Sequence, residues 1–138
     1  QMMQDLTLDY TLFFQKLESP ISEIKTEDFK DSFYRNLNEI ELKKLSDFIK
    51  KYQARKLKNK ISEPESLERM SQTNPKFILR NYLLFEAIQE AENGNYEMFF
   101  KLKKASENPY ENLYPEFNQK RPSRYDNQTG SSQLSCSS

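Results

Sequence analysis

The sequence contains no histidine and no tryptophan, only two glycines, Gly94 and Gly130, and a single cysteine, Cys136. Each scarcity removes a class of chemistry. Serine and cysteine nucleophiles of the triad type need an imidazole to take their proton, so no such site can be assembled from this chain. Phosphate-cradling loops need several glycines to bring backbone N–H groups close to the ligand, which excludes a Walker loop and a dinucleotide fingerprint. One thiol can neither close an internal disulfide nor build a cysteine zinc cluster. No apolar run approaches membrane-spanning length, and no basic-then-apolar leader opens the chain.

What is present is charged and aromatic. Twenty-one basic and 21 acidic residues balance to zero net charge, a poor match to bulk phosphate-backbone binding, so no nucleic-acid partner is expected. Apolar residues make up only 36% of the chain and mean hydropathy is −0.95, but ten Phe and eight Tyr supply large buried area per residue. The 138 residues suit one domain with a modest core. Some apolar surface is expected to face a neighbouring domain. The first residue is Gln rather than an initiator Met, which fits a fragment or processed product.

Apolar spacing predicts a mainly α fold of about five or six helices with an irregular C-terminal tail. Leu8–Leu17 reads as a short helix ended by Pro20. Thr26 is a candidate N-cap for a second, carrying Phe29 and Phe33. The clearest amphipathic helix runs from Asn38 to Leu57, with Leu45, Phe48, Ile49 and Tyr52 as its stripe. Lys43, Lys44, Lys50, Lys51, Arg55, Lys56 and Lys58 crowd its second half. They read as a solvated face that complements the helix dipole, with a phosphate-contacting patch as the weaker alternative. Pro64 suits the first turn of a helix through Met70. Asn74-Pro75 predicts a further helix start, running to about Glu92 on Leu79, Tyr82, Leu83 and Ile88, which would put Lys76 and Arg80 on one face. Gly94 stops it. A last helix, about Tyr96–Ala105, would carry Tyr96, Phe99 and Phe100 on one apolar side. The expected division is a helical region, residues 1–108, and a Pro/Ser-rich tail, residues 109–138. Carboxylates are plentiful but lie among lysines on helix-like segments, and nothing nominates a metal site.

The nonapeptide Asn74-Pro75-Lys76-Phe77-Ile78-Leu79-Arg80-Asn81-Tyr82 resembles a motif near the C-terminus of the selenoprotein O family. Ala87-Ile88, Ala91-Glu92, Gly94 and Asn108-Pro109-Tyr110 keep that family's order and approximate spacing. Ser135-Cys136-Ser137-Ser138 is similar to its terminus, where Cys or selenocysteine stands third from the end. The family often has a Trp-containing element before that terminus, and Tyr125 is the residue here that could replace it.

The resemblance implies a parent protein with a kinase-like core that transfers AMP from ATP, with Mg²⁺ or Mn²⁺, to Ser, Thr or Tyr of protein substrates. The core, its nucleotide site and its metal site lie outside this chain, so no catalytic, cofactor-binding or metal-binding residue is expected within it. Asn74, Pro75, Lys76, Arg80, Asn81 and Tyr82 are expected to be structural. Cys136 is the expected redox residue, and its partner cysteine must lie elsewhere. Bacterial members are expected in the cytoplasm and eukaryotic ones in mitochondria. From the residues alone, a stand-alone helical interaction module with no enzymatic role is the alternative.

Overall fold

The computed structural model describes residues 8–127. It divides into two compact units, Gln1–Asn74 and Pro75–Ser138. The division falls at Asn74/Pro75. Among the described residues there are five α-helices and no strand, only an isolated antiparallel bridge between Leu8 and Phe33. The mainly α class is as the sequence predicts.

The first unit is built around Phe13 and Phe29, both fully buried. Helix α1, Tyr10–Lys16, starts where Asp9 caps it: the carboxylate accepts the Leu12 N–H at 3.1 Å. The same carboxylate accepts the Tyr34 hydroxyl at 3.2 Å, which accounts for a buried acid here. The second predicted helix is a 3₁₀ turn, Thr26–Ser32. Thr26 does not cap it; Asp28 instead folds back to accept the Lys25 N–H at 2.9 Å.

Helix α2, Glu39–Lys56, follows the sequence closely. Asn38 and Glu41 exchange side-chain-to-backbone hydrogen bonds, each 3.0 Å, which fixes the start. Leu45 and Ile49 enter the core, with Phe48 and Tyr52 packed partly against it. Phe13 sits 4.9 Å from Phe29 and 5.8 Å from Phe48 between ring centroids, so three separate segments meet on one aromatic side chain. Helix α3, Glu63–Thr73, begins on the Ser62 cap with Pro64 in its first turn and runs three residues beyond Met70.

Helices α4, Asn81–Glu92, and α5, Glu97–Glu107, form the frame of the second unit. Gly94 between them has φ +83°, a conformation side-chain-bearing residues rarely adopt. Tyr82, Leu83, Ala87, Leu102 and Ala105 meet in the core with Phe77.

Three expectations about this unit are corrected. First, Asn74-Pro75 does not start a helix. The residue before proline is driven to extended backbone, and Asn74 (φ −94°, ψ 112°) closes α3 by donating its N–H to Met70 at 2.8 Å. Lys76 and Phe77 give their N–H groups to the Pro109 carbonyl, at 2.7 and 3.0 Å, so helical geometry begins only after Arg80. Lys76 and Arg80 therefore do not share a helix face. Second, Leu79, Ile88, Tyr96, Phe99 and Phe100 are exposed; Ala87, Leu102 and Ala105 take the inward positions. Third, residues 109–127 are irregular but packed. Short 3₁₀ turns at Pro115–Phe117 and Ser123–Tyr125 each bury an aromatic ring, Phe117 and Tyr125.

Candidate functional site

The densest polar and aromatic constellation of the second unit lies where residues 119–125 return across α4. Tyr82, one residue into the helix, stacks on Tyr125 with centroids 5.5 Å apart and planes at 27°. Phe85, one turn on, meets Tyr125 edge-on at 6.4 Å. Glu86 lies i+4 from Tyr82, so both face the same strip of chain. The Tyr125 hydroxyl donates to Glu86 Oε1, and Arg124 donates to the same oxygen at 3.0 Å while lying 4.9 Å over the Tyr125 ring. The Tyr82 hydroxyl donates to the Gln119 carbonyl at 3.5 Å.

Burial, and then the carboxylate it donates to, push the Tyr125 hydroxyl above its ordinary range. A phenol held protonated is a hydrogen-bond donor, not a nucleophile. The arrangement is a clasp that fastens the returning segment to α4. Glu86 and Arg124 were invisible to sequence reasoning because their pairing spans 38 residues. Tyr125 was legible only as a replacement for a missing tryptophan.

Asn74 ends α3, while Pro75, Lys76 and Phe77 form the strand-like lead that docks on Pro109. Arg80 caps α4 through its carbonyl, which accepts from Leu83 and Leu84 at 3.0 and 3.2 Å. Asn81 opens the helix, and Tyr82 carries the stack. Cys136 lies outside the described residues.

The basic face of α2 is exposed at Lys43, Lys44, Lys50, Lys51, Arg55 and Lys58. Lys56 departs from that expectation. It is buried, donates to the Ser19 carbonyl at 3.4 Å and lies 5.8 Å from the Tyr52 ring centroid. Burial pulls its ammonium below the ordinary lysine range, opposed by Glu63. Its position, i+4 from Tyr52, puts it on the inner face, where its stem covers apolar surface.

Among the described residues no three of His, Cys, Asp and Glu converge as a metal's donor set, and the one described glycine faces open space rather than a phosphate-sized cradle. Among the same residues no helix is long and apolar enough to cross a membrane.

A family model described as protein adenylyltransferase SelO matches residues 1–107. Among curated proteins, the chain is 34% identical over 143 residues to a protein nucleotidyltransferase YdiU of Cytophaga hutchinsonii, covering 100% of this chain and 27% of the relative. It is 33% identical over 143 residues to that of Tolumonas auensis, covering 99% and 27%. With that of Pseudomonas fluorescens it shares 34% over 112 residues, covering 80% and 22%. The chain thus spans about a quarter of the length of the curated relatives it matches. No solved structure matches.

Proposed function

Because this chain belongs to the protein adenylyltransferase SelO family, we propose that it is the C-terminal part of an enzyme that moves AMP from ATP onto Ser, Thr or Tyr hydroxyls of proteins. The observation that carries this reading is the similarity itself, which extends over essentially the whole chain at about one-third identity. ATP and Mg²⁺ or Mn²⁺ would be held by the kinase-like core, a part of the polypeptide outside this sequence. The role of this part is to buttress that core and to carry Cys136 as a redox-active thiol on the C-terminal segment. The motif from Asn74 to Tyr82 serves packing: its backbone fastens to Pro109 and its terminal ring to Tyr125.

The direct test uses the family-length polypeptide with ATP labelled on the α-phosphate, Mg²⁺ or Mn²⁺, and a protein acceptor. Label is expected on the acceptor. The 138-residue chain alone is expected to transfer none, and label transferred by it would overturn the assignment of the chemistry to another part. For Cys136, the family-length Cys136→Ser protein is expected to lose any reductant-sensitive change in activity; an unaltered response would sink the redox role. An upstream stop codon followed by an initiator near Gln1 would favour a stand-alone interaction module instead.

A further inference from the structure

Helix α5 presents apolar residues on two sides, one inward and one outward. Its inner face presents Leu102 and Ala105, both buried. Its outer face carries Tyr96, Phe99 and Phe100 at 54%, 48% and 63% exposure. The spacing i, i+3, i+4 puts the three rings on one side of the helix, and the Lys103–Glu107 ion pair, 3.7 Å, follows them toward the C-terminal end. Phe99 and Phe100 meet edge-to-face at 5.6 Å, so the patch is ordered by its own contact. Clustered exposed aromatics are the composition of an interface core, not of ordinary surface.

We infer that this aromatic face is covered by the remainder of the family-length polypeptide. The inference deepens the functional reading above and rests on it. Two observations select the occupant. The chain covers 27% of its relatives' length, so on the functional reading above a family-length polypeptide brings further sequence tethered to this face. The size of the patch supplies the second argument. Three half-exposed aromatic side chains offer roughly 300 Å² of surface. A stable complex between separate proteins buries about 800 Å² per partner. A patch this small holds a partner only when the partner is tethered and its effective concentration is high. A second copy, which meets the face only by free diffusion, is thereby disfavoured. The Lys103–Glu107 pair lies C-terminal to the three rings and gives the patch a polar border at that end.

Hydroxyl-radical footprinting of the family-length polypeptide tests this. Labelling of Tyr96, Phe99 and Phe100 is compared with that of the same protein unfolded in urea. Their exposure in this structure corresponds to about two-fold slower labelling than unfolded. A docked face is expected to be at least about five-fold slower, at every protein concentration. Two-fold slowing in the family-length protein would overturn the inference. So would slowing that appears only as concentration rises, because it assigns the face to a second copy. In the Phe99→Ser/Phe100→Ser variant, Tyr96 labelling is expected to rise to the two-fold level; unchanged protection of Tyr96 would show that something other than the aromatic face is docked. AMP transfer is measured on the same preparation. Transfer with unprotected rings rejects the docking and leaves the functional reading, whereas protected rings without transfer do the reverse.

Discussion

The Tyr125 hydroxyl donates to the Glu86 carboxylate across 39 positions of sequence, and the Tyr125 ring is stacked on Tyr82 in the preceding turn of the same helix. This relationship, together with the burial of Phe117, fastens residues 115–125 to the second unit's core. Removing the hydroxyl in Tyr125→Phe is expected to cost about 1 kcal/mol, the usual net value of such a bond, since Arg124 still satisfies Glu86. Removing the ring in Tyr125→Ala is expected to cost about 3–5 kcal/mol. Urea unfolding followed by tyrosine fluorescence or far-UV circular dichroism distinguishes the two. Equal costs would mean that the ring contributes nothing.

Tyr125 also gives this unit an alkaline limit. Its folded pKa lies above the ordinary value of 10.0, first from burial and then from Glu86. A raised folded pKa means that the folded state holds the proton more tightly. The associated stability is complete below pH 10 and is lost as pH rises through the folded value. The wild-type chain should therefore lose stability above pH 10 more steeply than Tyr125→Phe.

Two asparagines that look alike in sequence as helix starts should respond differently. Asn38 accepts the Glu41 N–H, and Asn38→Ala is expected to cost about 1 kcal/mol. Asn74 uses its backbone N–H to close α3, a bond that alanine keeps, so Asn74→Ala is expected to fall within about 0.5 kcal/mol of wild type. Chemical denaturation of both variants decides the matter; a larger loss at Asn74 would restore it as a capping side chain.

Arg35 grips Glu41 with two hydrogen bonds, Nη1 to Oε2 at 2.8 Å and Nη2 to Oε1 at 2.6 Å. That grip, with the Asn38 N–H, lowers the Glu41 carboxyl from 4.5 to about 2. A lowered carboxylate pKa stabilises the fold above the unfolded value and ceases to do so as pH falls through the folded value. The window is therefore about pH 4.5 down to about 2. NMR titration of the Glu41 side chain should give a midpoint near 2 in the wild type and a clear rise in Arg35→Ala. An unmoved midpoint would show that the pairing does not hold in solution.

Phe13 of α1 contacts Phe29 and Phe33 of the 3₁₀ segment and its C-cap, and Phe48 of α2, so three segments of the first unit meet at its ring. Phe13→Ala is expected to cost about 3–5 kcal/mol and to leave a cavity that Leu fills only in part. Thermal unfolding of Phe13→Ala beside Phe13→Leu checks this, with the leucine variant expected to recover more than half of the loss.

Sequence by itself determined the elements whose causes are local. Asn38 with Glu41, and Ser62 with Pro64, place the starts of α2 and α3 because a cap and its target lie within one turn. Gly94 marks its turn because only glycine adopts φ +83° at little cost. The Asn74–Tyr82 nonapeptide named the family for a related reason: its identity is a string of neighbours. Tertiary structure alone decided what those neighbours do. The Pro109 carbonyl, some thirty residues downstream, takes the N–H groups of Lys76 and Phe77 and delays α4 to Asn81. Competition for inward positions between the two faces of α5 went to Leu102 and Ala105, turning Tyr96, Phe99 and Phe100 outward. Hydrogen bonds and packing partners separated by dozens of residues leave no periodic trace in a sequence, so these outcomes, and the clasp of Tyr125 on Glu86, became visible only in the folded chain.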